Sequence, residues 1–593
     1  MEKHQTKTGV ASFRELITRE DGITVDPNGL FVDKTLFIKE FLDSGAKILL
    51  ITRPRRWGKT LALSMLQHFL SKEMEGMPTK ELFNNLKIAK YLIDPDYKKY
   101  QGTHPVILVN FKELKGDDFQ SIEQKIKGIL SALYKKHDYL LKALQNKEHE
   151  FYHAEESYEA SINQFARILN KCGDNDDLTV SLKFLSELLT KYYGKKAFIL
   201  IDEYDNAINN SFDKPEILEK LTNFFSNLFG ACLKDNDANL QKGLVTGILR
   251  VAKANIFSGL NNPTEETILD YKFSEHYGFT ETEVNELLNK AGITNKQEIK
   301  SWYNGYIVGN NTVYNPWSIM QCIAHNGDLA SYWADSANPA TIKSILIDKS
   351  PAKYRVKIRE LLKTGKLDLN DDLERYISLE QINVNPEALW SLLLHTGYLT
   401  LSNFNNKKKV RLPNKEIELL IRKHINAWFT ENPNLSTTAN ALLTGNIVAF
   451  EESLTRVLLD PVYSARMLSG GGRAANFDRT IDLKEFIYQF LIMAELYCIN
   501  NIGQDYEVIA EPEIISLDRT RPDLIVINHK QRLCVVGEIK VAKRNEDVEQ
   551  VAKNKAMFQI DENWYGKKYV EHGYQLIKIA IAFRGLDFAV AAS

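Results

Sequence analysis

The sequence has little of what marks a secreted, metal-stapled or membrane-spanning chain. Its 593 residues include five cysteines, at positions 172, 232, 322, 498 and 534. They are scattered, odd in number and never spaced Cys-x-x-Cys, which argues against a disulfide framework and against a zinc site. No run of about eighteen apolar residues occurs, so no membrane-spanning helix is expected. Residues 1–21, "MEKHQTKTGVASFRELITRED", hold no apolar core of signal-peptide length, and a reducing, cytoplasmic location is the expectation. An excess of one charge is also missing. Lys and Arg total 75 against 77 Asp and Glu, a net charge of −2, so any attraction to a polyanion must come from local basic surface. There is no internal repeat and no low-complexity tract.

What is present is an ordinary globular composition, 44% apolar and 26% charged, on a chain too long for one core; two to four domains are expected. Between residues 45 and 260, short apolar runs ("AKILLIT", "HPVILVNF", "KKAFILIDEYD", "GLVTGI") alternate with helix-patterned segments such as "SIEQKIKGILSALYKKH" and "SLKFLSELLTKYYGKK". Runs of that length bounded by polar residues or glycine are the pattern of buried parallel strands, so this region predicts an α/β domain. Residues 280–450 lose the strand runs and predict mainly helix, as in "ALWSLLLHTGYLT" and "KEIELLIRKHINAWF". From about residue 475 the pattern turns α+β: a helix "LKEFIYQFLIMAELYCIN", strands "DLIVIN" and "LCVVGEIKV", a further helix and a last strand "QLIKIAIAF".

The stretch "LLITRPRRWGKTLALSML" is an apolar strand, a short loop ending Gly58-Lys59-Thr60, and an apolar helix. That is the layout of a phosphate-binding loop, in which backbone N–H groups and a helix N-terminus surround phosphate oxygens. Lys59 supplies a charge for the β- and γ-phosphates, Thr60 a hydroxyl for Mg²⁺, and Gly58 close backbone approach. The usual first glycine is absent, Arg53 standing in its place, and "RPRRW" offers a rigid proline and three arginines, Arg53, Arg55 and Arg56, beside the phosphates. Alone, the stretch also fits a surface loop leading into a helix. A second element shifts the balance. "AFILIDEYD" is an apolar strand ending in Asp202-Glu203, and carboxylates at strand C-termini face the ligand crevice of open α/β sheets. Asp202 is the candidate Mg²⁺ ligand and Glu203 the candidate general base. Thr246, ending the next strand, is a candidate for touching the γ-phosphate or the attacking water, with Arg250 for stabilising transferred charge.

With these motifs in place, "VDKTLFIKEFL…ITRPRRWGKTLALSML", "FILIDEYD", "TGILRVAKANIFSGLNN", "WYNGYIVGNNTVYNPWSI", "LLLHTGYLT" and "RLPNKEI" resemble the bacterial AAA-ATPase-like family, many members of which carry a C-terminal PD-(D/E)XK nuclease domain. The resemblance runs from about residue 13 to about 585. It implies that the loop form R-P-R-R-[FW]-G-K-[ST] is a family trait, that the nucleotide is ATP, and that the setting is mobile-element biology or defence. The expected architecture is α/β multidomain: a P-loop AAA-like ATPase domain with a parallel sheet over residues 1–270, a mainly helical middle region over 271–450, and a restriction-endonuclease-like α+β domain over 451–593.

The second informative stretch is "RPDLIVINHKQRLCVVGEIKV". As a hairpin turning between His529 and Lys530, it sets Asp523 opposite Val536 and makes Glu538 a diagonal neighbour on the same face, roughly 7–8 Å away between Cα atoms. Lys540 shares the face of Glu538. Two carboxylates and a lysine at a sheet edge suit Mg²⁺-assisted phosphodiester hydrolysis, with Asp523 and Glu538 on the metal and Lys540 orienting the nucleophile. Pro522, Asp523, Glu538 and Lys540 form the P-D…E-x-K pattern of the restriction-endonuclease-like superfamily. That resemblance implies a metal-site role for the upstream helical Glu485 and a place near the scissile phosphate for Gln559, which is equally well an ordinary helix-surface glutamine. Gln489 stands where many relatives have histidine after Tyr488. Basic runs, "NKKKVRLPNKEIELLIRKH" and "KVAKRNED", could follow a phosphate backbone or be solvated lysine faces. The aromatic segment "SWYNGYIVGNNTVYNPWSI" predicts a packed helix–turn–helix corner more than a base-stacking platform. The expectation is thus an ATP- and Mg²⁺-using ATPase coupled to cleavage of nucleic acid, DNA in preference to RNA, with a homo-oligomer open. The competing reading is a nucleotide-switched scaffold whose second domain binds without cutting.

Overall fold

The computed structural model describes residues 7–18, 29–146, 148–149, 151, 158–211, 214–249, 263–333, 357, 361, 364–369, 372–375, 386–421, 441–442, 444–459, 506–509, 522–543, 545–584 and 587–593. They form two compact units, residues 1–345 with 349–420, and residues 346–348 with 421–593.

The first unit is built on five strands: β1 (Ile48–Thr52), β2 (Val106–Asn110), β3 (Ala197–Asp202), β4 (Leu240–Gly247) and β5 (Thr264–Glu266). Their order is β2-β3-β4-β1-β5, and every neighbouring pair is parallel. The four apolar runs expected as buried strands are the first four of these. Their residues are buried because helices cover both faces. Ile48, Leu50, Ile107, Val109, Ile199 and Ile201 enter one core with Ile122, Ile126 and Leu130 of α2 (Phe119–Lys136). The alternate residues, Leu49, Ile51 and Leu200 among them, are equally buried on the other side. The helices begin where the sequence supplies a cap. Asp118 accepts from the Ser121 N–H ahead of α2, and Asp174 from the Asp177 N–H ahead of α3 (Asn175–Tyr193), each worth about 1 kcal/mol.

The stretch after residue 270 departs from the mainly helical expectation. It holds helices Glu281–Lys290, Lys296–Tyr303, Pro316–Ala324 and Pro386–Thr396, but also two three-stranded sheets, Phe279–Thr280 with Tyr306–Val308 and Asn311–Tyr314, and Lys366–Asp368 with Thr400–Asn403 and Asn406–Arg411. The aromatic segment is therefore helix, β-hairpin, helix. Val308 pairs with Asn311 across a Gly309-Asn310 loop in which Gly309 has φ 56°, the two-residue hairpin connection that Gly-Asn favours.

The second unit contains a mixed sheet of five strands: β6 (Tyr506–Ile509), β7 (Leu524–Asn528), β8 (Leu533–Val541), β9 (Gln575–Arg584) and β10 (Asp587–Ala592), in that spatial order. Only β8 and β9 run parallel. A helical segment, Val548–Glu562 with a π-turn over Ala552–Ala556, connects them. Strand β10 follows what was expected to be the last strand. The helix expected over "LKEFIYQFLIMAELYCIN" lies outside the described residues.

Candidate functional site

Strand β1 runs into the loop at Arg53, whose N–H donates to Gly247 O at 3.1 Å. Arg53 is fully buried and its guanidinium donates to Thr52 O, Glu266 O and Lys272 O while lying over the Tyr277 ring. Burial lowers its pKa to about 10. Of the three arginines expected beside the phosphates, Arg53 instead locks the loop base to β5. The left-handed positions of the loop are Arg56 (φ 65°) and Gly58 (φ 84°). Arg53 has no positive φ, so the turn needs no glycine there.

Gly58 caps helix α1 (Lys59–Leu70). A Cβ on Gly58 would meet nothing within 4 Å. Lys59 is 4% exposed and donates to Arg53 O at 3.0 Å and Pro54 O at 2.9 Å. No carboxylate lies within ion-pair distance of it among the described residues. A buried ammonium held only by neutral carbonyls suits an incoming anion. Thr60 Oγ1 donates to Asp202 Oδ2 at 2.6 Å, joining the start of α1 to the end of β3.

Asp202 is the hub. Its Oδ2 also accepts from Asn110 Nδ2 at 2.7 Å, and its Oδ1 from Thr246 Oγ1 at 2.7 Å and from the Glu203 N–H at 3.1 Å. Burial raises its carboxyl above the usual range, opposed by the Thr60 and Thr246 hydroxyls. Such a buried carboxylate favours a cation beside it. Thr246 is fully buried behind Asp202 and donates to it, a contact that holds the carboxylate in place. Arg250 lies outside the described residues. Glu203, at φ 54°, lines a cavity of about 1390 Å³ together with Arg55, Arg56, Gly58, Lys59 and Thr60. Lys112, Lys115 and Lys125 line it too, giving the walls a cationic excess. The loop glycine, the buried lysine on backbone carbonyls and the paired hydroxyl and carboxylate fit a triphosphate with Mg²⁺.

Two members were not foreseen. Asn110 sits at the end of β2, in register with Asp202, and the polar end of "HPVILVN" was the signal. Asp205 is fully buried, accepts from the Ile248 and Leu249 N–H groups at 3.0 and 2.7 Å, and is pushed up to about 6, mainly by burial and then by Glu203. It fastens the segment after β4 to the end of β3; the last acid of "DEYD" announced it.

In the second unit, Leu524 pairs with Gly537 and Asn528 with Leu533. The turn is thus the four residues 529–532, not one centred between His529 and Lys530, and Asp523 falls opposite Glu538 rather than Val536. The correction brings the carboxylates closer than the diagonal expected. Asp523 Oδ2 accepts the Ile539 N–H at 2.7 Å. Glu538 is 1% exposed; its Oε1 accepts from Lys540 Nζ at 2.7 Å, and its Oε2 is buried with no hydrogen-bond partner. Burial, then repulsion from Asp523, pushes Glu538 up to about 7, against the pull of Lys540. Gln559 donates to Tyr565 Oη at 3.4 Å, and Tyr565 feels the charges of Glu538 and Asp523. Glu485 and Gln489 lie outside the described residues. Among the described residues no group of three or more His, Cys, Asp or Glu could hold a metal; the orphaned Glu538 oxygen and Asp523 fit two of a metal's ligands. Of the basic runs, Lys407, Lys408 and Lys409 lie exposed on a strand of the first unit.

A parallel sheet with a Gly-Lys-Thr loop after one strand and an acid at the end of another defines a P-loop-like α/β unit. Residues 7–257 match the family model described as a predicted AAA-ATPase, so the chain carries an AAA-ATPase-like domain there. A protein of Azotobacter chroococcum mcd 1, described as an uncharacterized protein in the vnfD 5′ region, is similar at 23% identity over 410 residues, 68% of this chain and 67% of that protein. Among the described residues no helix is long and apolar enough to cross a membrane.

Proposed function

We propose that the first unit binds and hydrolyses ATP with Mg²⁺. The observation that carries this reading is the Thr60–Asp202 hydrogen bond, which sets a hydroxyl and a buried carboxylate side by side at the mouth of the Gly58-Lys59 loop. Lys59 exchanges its carbonyl partners for phosphate oxygens, a stronger, charge-paired interaction. Thr60 and Asp202 would hold the cation, which when bound would neutralise phosphate charge. Asn110, Thr246 and the Glu203 N–H keep Asp202 oriented. Glu203 takes a proton from the attacking water as the water's oxygen bonds to the γ-phosphorus and the bond to the β-phosphate oxygen breaks. Glu203→Gln is expected to bind ATP normally and to lose hydrolysis; wild-type turnover in that variant removes Glu203 as the base, and no ATP binding by the wild type removes the site.

The second unit is proposed to cleave phosphodiesters of nucleic acid, DNA before RNA, at Asp523, Glu538 and Lys540. The buried, unpartnered Oε2 of Glu538 beside Asp523 supports a divalent-cation site there. A cation bound to the two carboxylates would acidify its water; Lys540 holds Glu538 in place and sits where it can steady the charge of the cleaved phosphate. Plasmid and RNA incubated in Mg²⁺ or Mn²⁺, with ATP, a non-hydrolysable analogue or neither, test this, and Lys540→Ala should abolish cutting while leaving ATP binding intact. Failure of the wild type to cut any form favours the binding-only scaffold.

A further inference from the structure

Arg56 has an unusual setting for a residue beside a phosphate loop. It adopts φ 65°, a left-handed conformation that costs a non-glycine residue about 1–2 kcal/mol. Its neighbour explains why the loop accepts this. Trp57 is 1% exposed and packs edge-on against Tyr306 of the hairpin, ring centroids 5.2 Å apart. With Trp57 anchored inward, Arg56 is turned out into the cavity. There its guanidinium carbon lies 4.3 Å from the centroid of the Trp317 ring.

Trp317 is itself held. Asn315 Oδ1 accepts from the Trp317 N–H at 2.9 Å, and the indole Nε1 donates to Tyr332 O at 3.1 Å. The ring is a fixed platform and Arg56 the movable partner. Among the described residues Arg56 makes no ion pair, although Glu203 is near enough to favour its charge. Arg56, Trp317, Lys59, Thr60 and Glu203 all face the same cavity.

An arginine stacked on an aromatic face is held by one weak electrostatic contact. A phosphate offers a guanidinium charge-assisted hydrogen bonds, two of them at once, so a triphosphate in the loop competes with the ring for Arg56. Resting on the ATP-site reading above, we infer that Arg56 is a triphosphate-responsive residue that leaves the face of Trp317 to engage the terminal phosphate of a nucleoside triphosphate, supplying transition-state charge from within the same chain and exposing the indole. Trp317 is the second residue of the helix Pro316–Ala324, so occupancy of the loop would reach that helix through this ring.

The test uses the full chain and measures tryptophan emission, nucleotide binding by calorimetry and steady-state hydrolysis. Expected are an emission change with ATP or its non-hydrolysable analogue, a smaller one with ADP, and loss of that difference in Trp317→Phe. Arg56→Ala should still bind ATP, lose the emission change, and show kcat reduced about 100-fold or more with KM changed far less; Arg56→Lys should recover part of the emission change. Four results overturn the inference: an unchanged kcat in Arg56→Ala, an equal response to ADP and ATP, an ATP response that survives in Trp317→Phe, or ATP binding by the wild type with no emission change. The last leaves the nucleotide site standing, whereas absence of ATP binding in the wild type overturns both.

Discussion

Replacing Asp202 by Asn tests whether the hub is a cation ligand or only a structural node. The carboxylate accepts four hydrogen bonds, from Thr60 and Asn110 on Oδ2 and from Thr246 and the Glu203 N–H on Oδ1. The two hydroxyls can reverse and accept. The other two donors cannot: Glu203 offers a backbone N–H, and the Asn110 amide is pinned because its Oδ1 accepts the Lys112 N–H at 2.8 Å. Whichever way the new amide turns, its nitrogen meets one fixed donor. A buried donor left unsatisfied costs about 1–3 kcal/mol. Against this, a neutral amide avoids the desolvation that raises the Asp202 carboxyl. The opposing effects leave a small net change in Tm. The functional loss is larger in kind: a charged ligand contributes about 1.5–3 kcal/mol, roughly a ten- to hundredfold change in affinity. Calorimetric titration with ATP, with and without Mg²⁺, should show that Mg²⁺ tightens binding to the wild type and not to Asp202→Asn. Equal tightening in the two proteins would refute the assignment of Asp202 to the cation.

Other outcomes follow from buried groups. Glu416 is fully buried, accepts from Ser318 Oγ at 2.8 Å and the Trp333 N–H at 2.7 Å, and is raised by burial to about 7. Because its folded pKa lies above its unfolded value, its stabilising contribution is complete below about pH 4.5 and is lost as pH rises through about 7, a total of roughly 3 kcal/mol. Glu416→Gln, which can still accept from Trp333 and donate to Ser318, should flatten the dependence of Tm on pH across that window. Glu538 obeys the same sign, and Lys540→Met, by removing the cation that favours its ionised form, should push the upper end of its window above pH 7 in the same Tm profile. Gly58→Ala meets no steric obstacle but must hold φ near 84°, so denaturant titration should show a loss of about 1–2 kcal/mol without loss of fold.

Much of this was legible in one dimension because it depends on local chemistry. Four apolar runs bounded by polar residues can only be strands covered on both faces, and they are; the spacing Gly58-Lys59-Thr60 after a strand and Asp202-Glu203 at the end of another marks the loop and the acid whatever surrounds them. The β-hairpin after residue 305 carries its turn signal in Gly309-Asn310, but its strands are only three and four residues long, too short for alternation to show. What the chain could not announce is who meets whom. That β4 lies between β1 and β3, bringing Thr246 and Asn110 onto either side of Asp202, is a property of sheet order. That Arg53 dives into the core while Arg56 turns outward onto Trp317 depends on packing against Tyr277 and Tyr306, residues more than two hundred positions away. The hairpin register that sets Asp523 opposite Glu538 depends on a turn centred one residue further along the chain than the sequence suggested. Local sequence fixes the preference of each segment for helix, strand or turn; long-range packing, which weighs contacts between distant residues against each other, decides which side chains share a site.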